Sequence, residues 1–237
     1  GAAAALQALT LRNAYAQAAG VRNAPIPSPC GALTPVVDLS TGLSLLQLPA
    51  GFTYRSFSWA GDLMADGQPC PDRHDGMGVV VSRNVGQSTE LVLVRNHERG
   101  LTAAPIAAPR IYNNGRLRVV TAEGTQRGRA GGGTTNLLFR DGQWVSTQAS
   151  LGGTVVNCAG GVAPWGTWLT CEEFLQFGEP FFYDSDPDRD HGYVYEVRPD
   201  PNQTTAQPIR AMGRFSHEAV AVDPATSIVY MTENNRN

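Results

Sequence analysis

The chain has 237 residues, a formal charge of −3 at neutral pH and a hydrophobic fraction of 42%. This is long enough to bury a substantial core, as one large domain or two small ones, and the charge gives no electrostatic case for nucleic-acid binding. All 18 basic residues are arginine, which excludes Schiff-base and P-loop lysine chemistry and leaves any phosphate to Arg, metals or backbone N–H groups.

Taken in chain order, residues 1–20 read as a short helix on their Ala and Leu content, like the end of an export signal or a segment just after one. Residues 21–50 read as an irregular Pro-rich arm. No stretch is apolar for long enough to span a membrane. From residue 51 onward the pattern changes to strands, expected at 52–59, 78–82, 90–95, 116–121, 134–139, 144–149, 167–170 and 193–197, with two more after Arg214. The 26 Gly and 16 Pro fall between these short apolar runs rather than in one tract, which favours strands joined by tight turns. Gly86, Asn114-Gly115, Gly124, Asp141-Gly142 and Asp223-Pro224 mark the turns.

An irregular repeat runs through the strand region. Three times a polar cluster opens a strand, a turn comes next, and an apolar strand runs into a glutamate. The first copy opens at His74-Asp75-Gly76-Met77 and closes at Arg95-Asn96-His97-Glu98. The second opens at Asn157-Cys158-Ala159-Gly160-Gly161 and closes at Cys171-Glu172-Glu173. The third opens at Ser216-His217-Glu218 and closes at Thr232-Glu233. In an antiparallel hairpin the start of one strand and the end of the next lie side by side. Each copy therefore pairs two polar clusters: Asp75 with Glu98, Cys158 with Glu172 and Glu173, and Glu218 with Glu233. If the hairpins are blades of a β-propeller, these ends converge on the mouth of its channel. Asn136, after Gly131-Gly132-Gly133, reaches the same level. So many acidic and soft donors in one small volume repel one another unless cations neutralise them.

Carboxylates and an amide carbonyl are hard donors suited to calcium, whereas a thiolate suits a softer metal such as iron or zinc. For Cys158 the alternatives stay open: metal ligation, a disulfide with Cys171, or two buried thiols. Cys30 and Cys70 both lie in Pro-containing loops and are expected to form a disulfide between the N-terminal arm and the body. The four histidines lack zinc-site spacing, and His217 is read as a supporting or packing residue because its strand neighbour Glu218 faces the other way. The acidic run 184–190 lacks the Gly and terminal Glu of an EF-hand, the Gly-rich run at 131–133 is followed by no Lys, and no serine-centred triad signature is present.

The segments Asp62-Leu63-Met64-Ala65-Asp66-Gly67, His74-Asp75-Gly76-Met77, Arg95-Asn96-His97-Glu98, Asn157-Cys158-Ala159-Gly160-Gly161, Pro164-Trp165-Gly166-Thr167-Trp168 and Phe215-Ser216-His217-Glu218 resemble the PhoX-type alkaline phosphatases from Leu48 to the end of the chain. The resemblance implies a six-bladed propeller, twin-arginine export to the periplasm or exterior, and a cluster of iron and calcium ions that hydrolyses phosphate monoesters. By it, Cys158, a glutamate of the Glu172-Glu173 pair and Glu218 hold iron or bridge it to calcium, while Glu98, Asn136 and the remaining carboxylates, Glu233 among them, serve calcium. Members of the family are considerably longer. Residues 51–237 are therefore expected to supply only the first blades of an incomplete propeller, the rest lying elsewhere or in another chain. Asn234 and Asn235 stand where the family usually has an acidic residue. A reading from a different class, a non-catalytic calcium-stabilised propeller binding a partner at the channel mouth, differs in having no use for a free Cys158 thiolate.

Overall fold

The structure is a computed structural model and describes residues 30–234 apart from 102, 115–116, 122–123, 175–181 and 185–188. The helix expected over 1–20 lies outside the described residues. The chain forms two compact units, residues 1–56 and 57–237.

In the first unit β1 (Thr34–Val36) pairs antiparallel with β2 (Leu46–Leu48), Thr34 opposite Leu48. Between the two strands, the enclosed Asp38 carboxylate gathers the local hydrogen bonds. It accepts from Ser40 N at 3.1 Å, Thr41 Oγ1 at 2.7 Å, Ser56 N at 2.9 Å and Ser56 Oγ. This is the Asx-turn chemistry of an aspartate that bonds backbone just beyond itself. The strand expected at 52–59 does not form. That segment is fastened through side chains instead, Ser56 on Asp38 and the Tyr54 hydroxyl accepting from Leu45 N at 2.8 Å.

The second unit continues with β3 (His74–Val85), β4 (Ser88–His97), β5 (Leu117–Thr121), β6 (Gly124–Gly128), β7 (Gly132–Arg140), β8 (Gln143–Thr154), β9 (Asn157–Val162), β10 (Trp168–Glu172), β11 (Phe182–Asp184), β12 (Val194–Val197), β13 (His217–Val222) and β14 (Val229–Glu233). They assemble as a four-stranded sheet β3-β4-β7-β8, two three-stranded sheets β12-β10-β9 and β11-β5-β6, and the pair β13-β14. The named strand pairs are all antiparallel, and none of these sheets closes on itself. The class is all-β. Asp141 and Gly142, both with positive φ (50° and 75°), form the two-residue turn between β7 and β8, as an Asp-Gly hairpin requires. No helix among the described residues is long and apolar enough to cross a membrane.

Strand alternation explains how the sheets stack. Along β10, Trp168 joins a core of Val80, Val94, Leu151 and Tyr195, against the four-stranded sheet. Its neighbour Leu169, with Cys171, packs with Val194 and Val220 on the opposite face, against β13-β14. The β12-β10-β9 sheet is thus buried on both sides, which is why β10 reads as a continuous run of buried residues. The layers approach very closely at glycine. A Cβ on Gly161 would lie 1.9 Å from Val220 O, and one on Gly76 would lie 2.8 Å from Ala159 Cα. Only a residue without a side chain lets β9 pass these neighbours.

Candidate metal centre

The three expected hairpins form, although Glu233 pairs with His217 and not with the expected Glu218. His74 is opposite His97, Asn157 opposite Glu172, and His217 opposite Glu233. Their polar ends meet where the sheets stack. Cys158 Sγ and one carboxylate oxygen from each of Glu173 and Glu218 lie within 4.8 Å of one another. The thiol is buried and the two glutamates are half-buried. Cys158 Sγ is also 3.3 Å from the Glu218 carbonyl and 3.6 Å from the His217 carbonyl, so β9 and β13 touch at this point.

Two further carboxylates stand at the rim. Burial raises the Glu98 carboxyl above its ordinary range, and Asp75, Glu173 and Glu218 push it further, against the pull of Arg73. Asp75 is likewise raised by burial and then by Glu173, although the Gly76 N–H lowers it. Burial raises the Cys158 thiol strongly, and Glu218, Glu173 and Cys171 add to this. The charges of Glu173 and Glu218 thus disfavour ionisation of both Glu98 and the Cys158 thiol, and that of Glu173 disfavours ionisation of Asp75. A cation reverses the sign of those interactions.

Cys158 is held in place by a residue that the sequence motifs do not single out. Asn96, fully buried, donates through Nδ2 to Cys158 O at 3.1 Å and Ala159 O at 2.7 Å. Its Oδ1 accepts from Trp168 Nε1 at 2.9 Å and Thr170 Oγ1 at 2.8 Å. All four bonding positions of this amide are used. One side chain on β4 thus joins the four-stranded sheet to both β9 and β10.

Glu172 and Glu173 separate cleanly. Glu173 belongs to the cluster, and Asn234 Nδ2 donates to its Oε1. Glu172 is fully buried behind it. Its Oε1 accepts from Val155 N at 2.9 Å and His191 Nδ1 at 2.7 Å, and its Oε2 from Gly192 N at 2.7 Å and Tyr193 N at 3.1 Å. A carboxylate has about four lone-pair sites, so these donors take up those that a metal ion would need.

Two more expected ligands stand apart. Asn136 lies mid-strand in β7, between Val94 and Gln148, and its Nδ2 donates to the carbonyls of Arg198 and Pro199, each at 2.9 Å. The strand starts at Gly132, four residues earlier than an Asn136 ligand needs, and Gly133 is the residue level with His97. Glu233 is exposed and directly opposite His217 rather than Glu218, which lies in a bulge of β13 between His217 and Val220.

The cysteines also differ from expectation in part. Cys70 is a free thiol, not half of a disulfide with Cys30. Its sulfur is enclosed, 3.3 Å from Ser58 Oγ and accepting from Arg95 Nη2 at 3.2 Å. Cys158 and Cys171 are free thiols, as metal ligation by Cys158 requires. The acidic run at 184–190 falls largely outside the described residues.

Comparison with protein-family models matches this chain to alkaline phosphatase PhoX over residues 31–152 and 138–237. No curated protein and no solved structure matches it.

Proposed function

The chain belongs to the alkaline phosphatase PhoX family, and from that premise we propose that it serves a metal-dependent phosphomonoesterase whose metals are held by the Cys158, Glu173 and Glu218 cluster. The observation that carries the reading is the donor set itself: a buried thiol and two half-buried carboxylates within 4.8 Å of one another, with Asp75 and Glu98 acting on the same group. The donors are graded. Sulfur lies at the bottom, where a softer ion such as iron fits, and oxygens lie above it, where calcium fits. When bound, such ions offset phosphate charge and orient the attacking oxygen.

The chain's own groups prepare the site. Asn96 fixes the backbone at Cys158 and Asn234 orients Glu173. Glu218 sits where β13 touches the thiol. A bare pocket of four carboxylates repels a phosphate dianion, so ester binding depends on the cations. The same reading carries the six-bladed propeller and export by the twin-arginine route to the periplasm or exterior. A non-catalytic calcium-stabilised propeller would have no use for a buried thiol at the centre of the carboxylates.

The test is Cys158→Ser in the complete protein, with metal content by mass spectrometry and hydrolysis of p-nitrophenyl phosphate. Loss of iron and of activity, with the fold intact, is expected. Undiminished activity in the variant, or a wild-type protein that binds no metal, overturns the proposal.

A further inference from the structure

Glu172 and Glu173 are adjacent, yet the structure gives them opposite tasks. Consecutive residues at a strand end face opposite sides. Whatever fixes Glu172 therefore fixes the direction in which Glu173 leaves the backbone. Glu172 is held from two directions, by Val155 N at the β8–β9 junction and by the 191–193 segment. The backbone is tied at the same places: Glu172 N donates to Tyr193 O at 3.1 Å and Glu173 N to Val156 O at 2.9 Å.

His191 completes the arrangement. Asn113 Nδ2 lies 3.2 Å from His191 Nε2. An amide NH2 can only donate, so Nε2 accepts and Nδ1 carries the proton that reaches Glu172 Oε1. The ring is buried and held edge-on by Tyr112 and Phe174. This chain of Asn113, His191 and Glu172 ends at the residue bonded through the backbone to Glu173.

We infer that Glu172, backed by His191, is the positioning residue of the metal centre: it ligates nothing and aims Glu173 at the cation. The inference rests on the reading of Cys158, Glu173 and Glu218 as ligands. Its consequence is that replacing Glu172 changes metal affinity and geometry without removing a donor atom. Residues behind the ligands of a metal site are typically worth about 10–100-fold in affinity.

The probe is cobalt(II), titrated into the 237-residue chain with folding checked by near-ultraviolet circular dichroism. Cobalt reports a thiolate through its charge-transfer band and its coordination geometry through its visible d–d bands. Glu172→Gln keeps the size of the side chain but turns an NH2 toward backbone N–H donors. It should retain the thiolate band, shift the d–d bands and weaken binding by about 10–100-fold. His191→Phe keeps a ring and loses the bond to Glu172, whereas His191→Asn keeps an N–H near the Nδ1 position. The Phe variant should weaken cobalt binding and the Asn variant should restore it. Wild-type affinity and spectra in a folded Glu172→Gln overturn the inference and leave the ligand assignment standing. No thiolate band in the wild-type chain overturns the ligand assignment, and the inference with it. If Glu172→Gln does not fold, the His191 pair decides: Phe weaker than Asn supports the inference, and equal wild-type binding by both overturns it.

Discussion

Asn96→Ala is the sharpest test of how the fold presents Cys158. The side chain makes four hydrogen bonds at 2.7–3.1 Å from a fully buried position. At a net value of about 1 kcal/mol each, their loss amounts to roughly 4 kcal/mol. The true cost lies near or above that figure, because Cys158 O, Ala159 O and the Trp168 indole N–H are left facing a void without partners, while Thr170 Oγ1 still accepts from Asn157 Nδ2 at 2.9 Å. Against a typical total stability of about 5–15 kcal/mol this is a large share, and for a unit of this size it corresponds to a fall in Tm of about 8–16 °C. Urea denaturation followed by tryptophan fluorescence reads it directly, since Trp168 is one of the partners. Cobalt affinity should fall as well, because the β9 backbone at Cys158 loses its anchor. A stability loss below about 1 kcal/mol would show that the network is not what joins the two sheets.

Gly161→Ala places a methyl 1.9 Å from the Val220 carbonyl oxygen, an overlap with backbone that side-chain rotation cannot relieve. It should cost about 1–3 kcal/mol or more and weaken metal binding by parting β9 from β13, whereas Gly100→Ala, with nothing within 4 Å, should do neither. Glu98→Gln should raise the Tm of the metal-free chain at neutral pH by about 2 °C, the equivalent of less than about 1 kcal/mol after solvent screening. The sign comes from the raised carboxyl: the folded state holds the proton more tightly, so stability is full below the unfolded value near 4.3 and falls as pH rises through the folded one. The gain from Glu98→Gln should therefore vanish at pH 4, and an equal gain at both pH values refutes the repulsion argument.

The strand pattern is legible because it depends on local chemistry. Expected strands at 78–82, 90–95, 134–139 and 144–149 lie inside β3, β4, β7 and β8, and the Asp141-Gly142 turn falls where its backbone demands it. Of the residues that hairpin pairing is expected to gather, Cys158, Glu173 and Glu218 lie within 4.8 Å of one another, and Asp75 and Glu98 feel the charge of Glu173. The failures arise where a single residue decides a face. Asn136 is expected at the metal level from its position after a Gly run, but β7 begins within that run and carries the amide past that level. The segment 52–59 has strand-like composition, yet its hydrogen bonds go to an aspartate rather than to a neighbouring strand.

The pair at 172 and 173 shows why the remainder is not readable. Both are glutamates at the end of an apolar strand, and propensity, charge and spacing are identical for the two. What separates them is the three-dimensional supply of donors. Val155, His191, Gly192 and Tyr193 come from two distant parts of the chain and converge on one side of β10, and nothing in the local sequence of either glutamate announces them. A buried carboxylate needs such a full set of donors to be tolerated at all. The glutamate that has them is committed to the fold, and its neighbour is the one that stands beside Cys158 and Glu218. Asn96 obeys the same logic from the other side: an asparagine in a β4 core run looks like a misplaced polar residue until its four partners on β9 and β10 are in view. Polar residues inside apolar strands are thus the positions where this sequence encodes contacts between sheets, and the Cys158, Glu173 and Glu218 cluster is built where those contacts meet.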